Sequence, residues 1–275
     1  MGRLFVVGTP IGHLKDVTIR AIEVLKEVDH ILCEDTRVTG KLTRRYGIQT
    51  PMESFFAGNE ARKLDGVLAR LVEGQSLALV TDAGTPAVSD PGFLLVRACR
   101  ERSIPVTPVP GPSALATALS VSGLPSQRVL FLGFAPRKAN ERRRLLEGLA
   151  EDPATLVFYE APHRVRSFLK EAMAVLSGRE CVVGREMTKR FETIAPVTDP
   201  EAIPEKGEFV ILFGPPPQRA AGPPCLADAG TRYEELLAEG LGDKDALRQV
   251  AKELDVPRRE IYAIIKGKDR EPRQP

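Results

Sequence analysis

The sequence predicts an α/β protein whose first part is a parallel sheet. Short apolar runs such as Leu4–Val7 and Leu77–Val80 alternate with segments whose apolar residues recur at helical spacing, such as Val17–Val28. That alternation is typical of strands joined in parallel by helices, and we expect five strands before Ser122. Stiff loops rich in proline and glycine follow two of the runs, at the carboxyl ends where such sheets bind ligands.

Composition divides the 275-residue chain into four stretches. The segment SGLPSQ marks a hinge, and a run rich in proline, glycine and alanine marks a semi-rigid linker. The helical segment after the linker has the short turn and second helix of a helix-turn-helix, with a plain bundle or dimer contact as the alternative. We expect a parallel-sheet domain at 1–122, a second α/β domain at 127–214, the linker at 215–230 and a helical extension at 231–268.

Composition also bounds the class of protein. The hydrophobic content is 43%, and no apolar run approaches the ~20 residues of a membrane-spanning helix. The amino-terminal apolar stretch is too short for a signal peptide. The four cysteines form no CxxC pair, so neither a zinc site nor a disulfide framework is indicated. We expect a cytoplasmic protein with no metal and no membrane partner, and at a net charge of +2 any nucleic-acid binding must come from local patches.

The most informative stretch is the loop Val80–Gly92, VTDAGTPAVSDPG. Its two prolines fix φ, and its two glycines permit backbone geometry that a Cβ forbids. It has neither the glycine spacing of a dinucleotide fingerprint nor a phosphate-binding GxxxxGK[ST], so NAD and ATP are disfavoured. Its acids and hydroxyls suit a ligand with hydroxyl groups or positive charge. The alternative is an ordinary connection from strand to helix.

Acidic residues follow the second predicted strand. Glu34 and Asp35 come directly after the run Asp29–Cys33, beside the two stiff loops. Because successive residues leaving a strand face opposite sides, we expect one carboxylate to enter the cleft. The other is then free to cap the helix that begins near Thr36. We expect Glu34 to be the residue in the cleft.

Further candidate binding residues lie at the start of one predicted helix and in two basic runs. Ser113 opens a helix whose free N–H groups can hold an acceptor. The basic residues lie on the helix after Asp35 and after the strand Val129–Gly133, and a solvated surface is the alternative for both runs. They are Arg37, Lys41, Arg44 and Arg45 in the first run, and Arg137, Lys138, Arg142, Arg143 and Arg144 in the second.

Several motifs together resemble one family. They are GTPIGHLKDVTIRA, CEDTR, VTDAGTPAVSDPG, PGPSA, GFAPRK and VFYEAPHR, in that order along the chain. The chain resembles the tetrapyrrole methylase superfamily from Leu4 to about Phe213, and within it the branch that 2′-O-methylates a cytidine ribose of 16S ribosomal RNA. His13 stands where that branch usually has asparagine, and Phe56-Ala57-Gly58 replaces a more polar stretch.

The resemblance implies a two-domain, class III methyltransferase fold with a small helical C-terminal extension. It implies S-adenosylmethionine in the cleft, a homodimer, and the small ribosomal subunit as partner. The cofactor-binding residues that it implies are Pro10, Asp82, Ala83, Gly84, Thr85, Val88, Ser113, Tyr159 and Ile194.

The implied reaction needs alignment and a proton acceptor. Because the sulfonium activates its own methyl group, transfer is an in-line displacement. A general base assists the poorly acidic ribose hydroxyl by ~10²–10⁴-fold. The candidates are Glu34 and Asp35, followed by Glu160, and Arg164 joins the two basic runs as a candidate RNA contact. Two other functions stay open: a porphyrin or precorrin methylase, and a non-catalytic RNA-binding factor of ribosome assembly.

Overall fold

The computed structural model describes residues 2–217 and 229–267. The chain forms two compact units, Met1–Pro216 and Pro217–Pro275. In the described residues the first unit contains two five-stranded sheets, and the second contains three helices. Most of the predicted linker at 215–230 lies outside the described residues.

The first sheet is parallel throughout, as the alternating pattern predicts. Its order is β3-β2-β4-β1-β5. The fourth strand in the chain is buried along its whole length, as expected for a strand covered on both faces. The strands are β1 Leu4–Val7, β2 His30–Cys33, β3 Met52–Ser54, β4 Leu77–Val80 and β5 Val106–Val109.

Helices cover both faces of this sheet with separate apolar clusters. The first helix begins later than its apolar pattern predicts, because the Thr18 hydroxyl accepts a hydrogen bond from the Ala21 amide and caps it. The helices are α1 Ile19–Glu27, α2 Thr36–Tyr46, α3 Glu60–Val72, α4 Phe93–Glu101 and α5 Ala114–Ser122.

The second sheet is mixed and has the order β6-β7-β10-β8-β9. β6 and β7 run parallel, and the remaining pairs are antiparallel. Two helices accompany it, α6 Ala139–Gly148 and α7 Val165–Val175. The strands are β6 Val129–Phe134, β7 Thr155–Glu160, β8 Cys181–Arg185, β9 Thr193–Pro196 and β10 Phe209–Phe213.

Helix α5 joins the two sheets into one packed body. Ala118 is fully buried in a cluster that includes Val182 and Val210 of the second sheet, and Leu119 packs against the same cluster. Ile11, from the loop after β1, belongs to this cluster as well. The apolar face of α5 therefore holds the carboxyl end of the first sheet against the second sheet. The loops at that end are fixed from both sides.

The second unit is a three-helix assembly with its own core. Tyr233, Leu247, Val250 and Ile261 are buried in it. Its helices are α8 Ala229–Ala238, α9 Asp243–Glu253 and α10 Arg258–Gly267. A short turn separates the last two helices, which is compatible with both the predicted helix-turn-helix and a plain bundle. In the part of the chain that the structure describes, no helix has the length and apolar character needed to cross a membrane.

Candidate active site

A cavity of about 430 Å³ lies between the two sheets of the first unit. This volume falls in the range of small-molecule sites. Loops after β1, β2, β4 and β5 line it from one side, and the ends of β6 and β7 with the start of β10 line it from the other. Seven of the predicted cofactor residues line this cavity: Asp82, Ala83, Gly84, Thr85, Val88, Ser113 and Tyr159.

The loop after β4 is held in an unusual backbone conformation. Ala87 and Ser89 both have positive φ, at 66° and 63°, where residues with a Cβ are uncommon. Thr9 and Gly84 exchange backbone hydrogen bonds of 2.8 and 3.1 Å, which tie this loop to the loop after β1. Non-glycine residues in this region cost of order 1–3 kcal/mol each and cluster at ligand clamps. The strain marks the loop as a preformed binding element.

Glu34 points into the cavity from the end of β2. Its side chain is half-buried, and Oε2 accepts a hydrogen bond of 3.0 Å from the buried Thr81 hydroxyl. A carboxylate needs more than one donor to be fully satisfied, so lone pairs of Glu34 remain available toward the cavity. Glu34 also lines a second, more open pocket with Ser54 and Phe56. Glu34 therefore lies between the open pocket and the interior of the cavity, in contact with both.

Asp35 has a different place from its neighbour. Its Oδ1 accepts a 2.8 Å hydrogen bond from the Arg37 amide and caps α2. Both carboxylate oxygens also accept hydrogen bonds from the Arg37 guanidinium. Hydrogen bonds from Arg37 lower the pKa of Asp35 to about 2. The expected division, one carboxylate in the cleft and one at the cap, holds in the geometry.

Two further carboxyl groups make the cavity acidic. Burial raises the pKa of Asp90 to about 6, and the charge of Glu34 adds to the effect. Burial is also the main cause of the raised pKa of Asp82, whose Oδ1 accepts a hydrogen bond from the Asp35 amide. Of the described residues that line the cavity, none is lysine, arginine or histidine. The cavity therefore favours a ligand that carries positive charge.

Glu160 is buried and paired. Its Oε1 accepts a 2.8 Å hydrogen bond from the Ala161 amide, and Oε2 lies 3.2 Å from an Arg164 nitrogen without hydrogen-bond geometry. Burial raises the pKa of Glu160, while the Arg164 charge opposes the shift. Arg164 also donates to the carbonyls of Ala135 and Pro136. This pair fixes the ends of β6 and β7 against each other, so Glu160 is better placed to shape the wall than to accept a proton.

Two predicted cofactor residues lie outside this cavity. Pro10 lines a neighbouring cavity of about 370 Å³ with Lys41 and Asp82. Ile194, on β9, packs against the apolar cluster behind Tyr159. Ile194 therefore belongs to the apolar packing around Tyr159, whereas Pro10 faces the adjoining cavity. The sequence predicts that Pro10 and Ile194 lie near the site. The fold shows that other residues line the cavity, among them Ile11, the neighbour of Pro10.

The predicted RNA contacts differ in their surroundings. Lys41, Arg44 and Arg45 of α2 are exposed. Within residues 2–217 and 229–267 no acidic side chain forms an ion pair with any of the three. Arg37 is exposed but paired with Asp35.

The second basic run is mostly neutralised. Arg142 is 13% exposed, and its Nε lies 2.6 Å from Glu171 Oε2. Lys138 pairs with Glu141, and Arg143 with Glu147, each at 2.8 Å. Arg137 and Arg144 are exposed, and neither forms an ion pair with an acidic residue in the described ranges. Like Arg164, Arg142 therefore stabilises the fold, which makes it a poor phosphate contact.

The structure adds cavity residues that the site prediction omitted. Asp90 belongs to the loop singled out in the sequence and lines the cavity. Phe134 belongs to the GFAPRK motif and lines the cavity although 57% of the residue is exposed. The segment Gly207–Val210 lines the cavity just before and within β10. The GFAPRK motif is the sequence signal that could have singled out Phe134.

Metal ligands do not gather at this site. Throughout the described ranges, no group of three or more histidine, cysteine, aspartate or glutamate side chains is arranged to hold a metal ion. The three cysteines in these ranges, Cys33, Cys99 and Cys181, are buried and free. Burial raises the pKa of the Cys181 thiol to about 12, so it is protonated at neutral pH.

Residues 3–202 match the family described as Tetrapyrrole (Corrin/Porphyrin) Methylases. The chain belongs to this family. Among solved structures, a cobalt precorrin-4 methyltransferase aligns with a TM-score of 0.59 at 19% identity, over 77% of this chain and 94% of that chain. A uroporphyrin-III-C-methyltransferase from Thermus thermophilus aligns with a TM-score of 0.57 at 21% identity, over 78% and 94%. These likenesses show the fold.

Much closer relatives carry a different name. A protein of Xylella fastidiosa (strain Temecula1) named ribosomal RNA small subunit methyltransferase I is 46% identical over 95% of this chain and 98% of its own length. A protein of Synechocystis with the same name is 42% identical over 96% and 97%. A third, from Thermotoga maritima, is 48% identical over 69% of this chain and 85% of its own length.

Proposed function

We propose that this chain is an S-adenosylmethionine-dependent methyltransferase that 2′-O-methylates the ribose of a cytidine in 16S ribosomal RNA. The observation that carries the proposal is the acidic cavity with Glu34 at its outer side, beside the exposed cations of α2. Relatives named for ribosomal RNA methylation match nearly the whole chain, which supports the same substrate class. A cytoplasmic location follows from a ribosomal substrate.

The cavity fits the proposed cofactor by charge. S-adenosylmethionine carries a sulfonium and an ammonium group, and the carboxyl groups of Asp82 and Asp90 lie in the cavity without a competing cationic side chain among its described lining residues. The rigid backbone at Gly84 and Thr85 offers polar groups at fixed positions, and the hydroxyl of Ser113 lies at the start of α5. When bound there, the cofactor would supply an activated methyl group.

Glu34 is the residue that we propose as proton acceptor. It is a cavity carboxylate that also lines the outer pocket, where a ribose hydroxyl would arrive. Thr81 holds one of its oxygens, so the carboxylate has a defined orientation. Asp35 is occupied by the helix cap and by Arg37, which leaves it unsuited to this role. Removal of the 2′-proton by Glu34 makes the oxygen a better nucleophile in the in-line displacement.

RNA recognition is assigned to the exposed cations of α2. This helix begins directly after Glu34 and Asp35, so its first turn adjoins the outer pocket. Lys41 also lines the neighbouring cavity with Asp82, which places it close to the site. Arg44 and Arg45 continue the basic surface along the helix. Phosphate groups on either side of the target nucleotide would pair with these cations.

A porphyrin or precorrin methylase is the competing enzymatic function. The solved structures with this fold include enzymes named for such substrates, at 19% and 21% identity. Tetrapyrrole precursors of this type carry several carboxylates, but RNA is anionic as well, so the acidic lining does not separate the two substrates. The relatives named for ribosomal RNA methylation support RNA, as do the exposed cations of α2 that have no acidic partner among the described residues.

The experiment offers labelled S-adenosylmethionine with three acceptors: unmodified 30S subunits, naked 16S RNA and uroporphyrinogen. We expect label in the RNA, recovered after digestion as 2′-O-methylcytidine. Label in uroporphyrinogen would instead support the tetrapyrrole function. Tight RNA association without transfer of label to any acceptor would support a non-catalytic assembly factor.

We also propose a homodimer. Phe93 and Leu94, at the start of α4, are 61% and 41% exposed, and Val121 at the end of α5 is 54% exposed. Exposed apolar side chains of this size are candidates for an interface between copies. Sedimentation at micromolar concentration should give a species of twice the 30.0 kDa chain mass. A species of only the chain mass would contradict the dimer.

A further inference from the structure

Phe134 lines the cavity and is nevertheless largely exposed to solvent. It is the last residue of β6, and 57% of the residue is exposed. Its ring centroid lies 5.8 Å from that of Tyr159, with the rings inclined at 69°. Tyr159 is only partly exposed and lines the same cavity. One side of the Phe134 ring is therefore supported by the wall, while much of the ring stays open to a ligand.

A β-bulge puts the ring in this position. Phe131 pairs with Val157, but the next pairs are Gly133 with Phe158 and Phe134 with Tyr159, so β6 contains one extra residue. In a regular strand, residues three apart face opposite sides of the sheet. Here the extra residue restores them to one side, because Phe131 and Phe134 both contact Tyr159, at 4.9 and 5.8 Å between ring centroids.

The strained loop after β4 lies directly against the bulge. Gly133 has φ of 60°, and a Cβ at this position would lie 2.9 Å from the Ser89 hydroxyl oxygen. Ser89 has positive φ as well. The close approach of two unusual backbone segments fixes the direction of Phe134. Bulges beside active sites commonly serve to aim a side chain in this way.

We propose that Phe134 forms a nucleobase subsite, on which the base of the target nucleotide stacks. This inference rests on the proposed function. For its ribose to reach Glu34, the target nucleotide must leave its stack, and an unstacked base gains by lying on an aromatic ring. Glu34 and Phe134 line the same cavity from opposite sheets, so ribose and base have separate supports. In this arrangement the base binds to the exposed Phe134 ring, and the cofactor binds in the interior of the cavity.

The test compares Phe134→Ala, Phe134→Leu and Phe134→Trp with a matched control, Phe191→Ala. Phe191 is 65% exposed and lies outside the cavity lining. We measure KM and kcat for methylation of 30S subunits, and cofactor affinity by calorimetry. Removing one base–aromatic stack should raise KM roughly 5- to 150-fold. The leucine variant keeps the apolar bulk but cannot stack, so its KM should rise as in the alanine variant. The tryptophan variant can stack, so its KM should stay near the wild-type value. The control should behave as the wild type.

Three results would overturn the subsite. An unchanged KM in folded Phe134→Ala would show that the ring does not hold the base. A loss of cofactor affinity as large as the rise in KM would assign the ring to the cofactor. Full activity of Phe134→Leu would reduce its role to apolar packing. Failure of the proposed function is distinguishable, since the wild type would then transfer no methyl group to RNA.

Discussion

Helices α2 and α6 have similarly basic sequences and very different electrostatic surroundings. The cations Lys41, Arg44 and Arg45 of α2 project into solvent without an acidic partner in the described ranges. On α6, Arg142 is bound to Glu171 and Arg143 to Glu147, and of its three arginines Arg144 alone has no ion pair among the described residues. A cation that already has a carboxylate partner gains little from a phosphate. The comparison shows that a run of basic residues predicts a nucleic-acid contact only if its cations have no carboxylate partners in the fold.

The largest effect should come from removing the unpaired cations. Lys41→Gln, Arg44→Gln and Arg45→Gln in one protein should weaken RNA binding and lower the salt slope by roughly 0.7–0.9 for each phosphate that is no longer neutralised. Cofactor affinity should stay as in the wild type. Filter binding across a salt series measures the slope. A protein with the wild-type slope would show that this face is only solvated.

The next largest effect should be on stability, from Arg142→Gln. The Arg142–Glu171 pair is mostly buried, with side-chain exposures of 13% and 21%. Losing its charge-assisted hydrogen bonds should cost about 1–3 kcal/mol of unfolding free energy. Thermal melts measure this, with Glu171→Gln and the double variant completing a cycle. A fall in the RNA salt slope with an unchanged melting temperature would contradict the structural role.

A smaller, pH-dependent effect is expected at Asp35, the partner of Arg37 on α2. Asp35→Asn keeps a capping side chain but loses the charge that faces Arg37. Because folding lowers the pKa of Asp35 to about 2, its contribution to stability is present above pH ~4 and is lost as the pH falls toward 2. The variant should melt below the wild type at pH 7 and together with it near pH 2. A difference independent of pH would point to capping geometry instead of charge.

The smallest effect should follow from Arg143→Gln. Arg143 and Glu147 are 67% and 51% exposed, so their pair is screened by solvent. We expect almost no change in either the unfolding free energy or the RNA salt slope. Melts and filter binding, measured beside the α2 triple variant, provide the check. A slope reduced as much as for an α2 cation would remove the distinction between the two helices.

Part of this contrast is visible in the sequence. Glu141 and Glu147 follow Lys138 and Arg143 at spacings of three and four residues, which pair on a helix. The partner of Arg142 lies on α7 and becomes apparent only in the fold. The sequence also predicts different positions for Glu34 and Asp35, because successive residues at the end of a strand face opposite sides.

Features that depend on packing were beyond local rules. The edge strand β3 is only three residues long and half-buried, so Met52–Ser54 carries no clear apolar pattern. The aim of Phe134 reverses the expected alternation, because the bulge at Gly133 depends on the loop of another sheet. The domain boundaries and the cofactor roles of Pro10 and Ile194 stay predictions. These features depend on contacts between residues far apart in the chain. The helices and most strands follow from the spacing of apolar residues along the sequence.

The role of Glu34 is the central claim, and single-turnover methylation of 30S subunits tests it most directly. Glu34→Gln should transfer methyl groups ~10²-fold or more slowly than the wild type, with an unchanged melting temperature, because the proton acceptor is lost. Asp35→Asn, measured in parallel, should transfer at nearly the wild-type rate and melt at a lower temperature. Transfer by Glu34→Gln at the wild-type rate would contradict the account and exclude this carboxylate as the base.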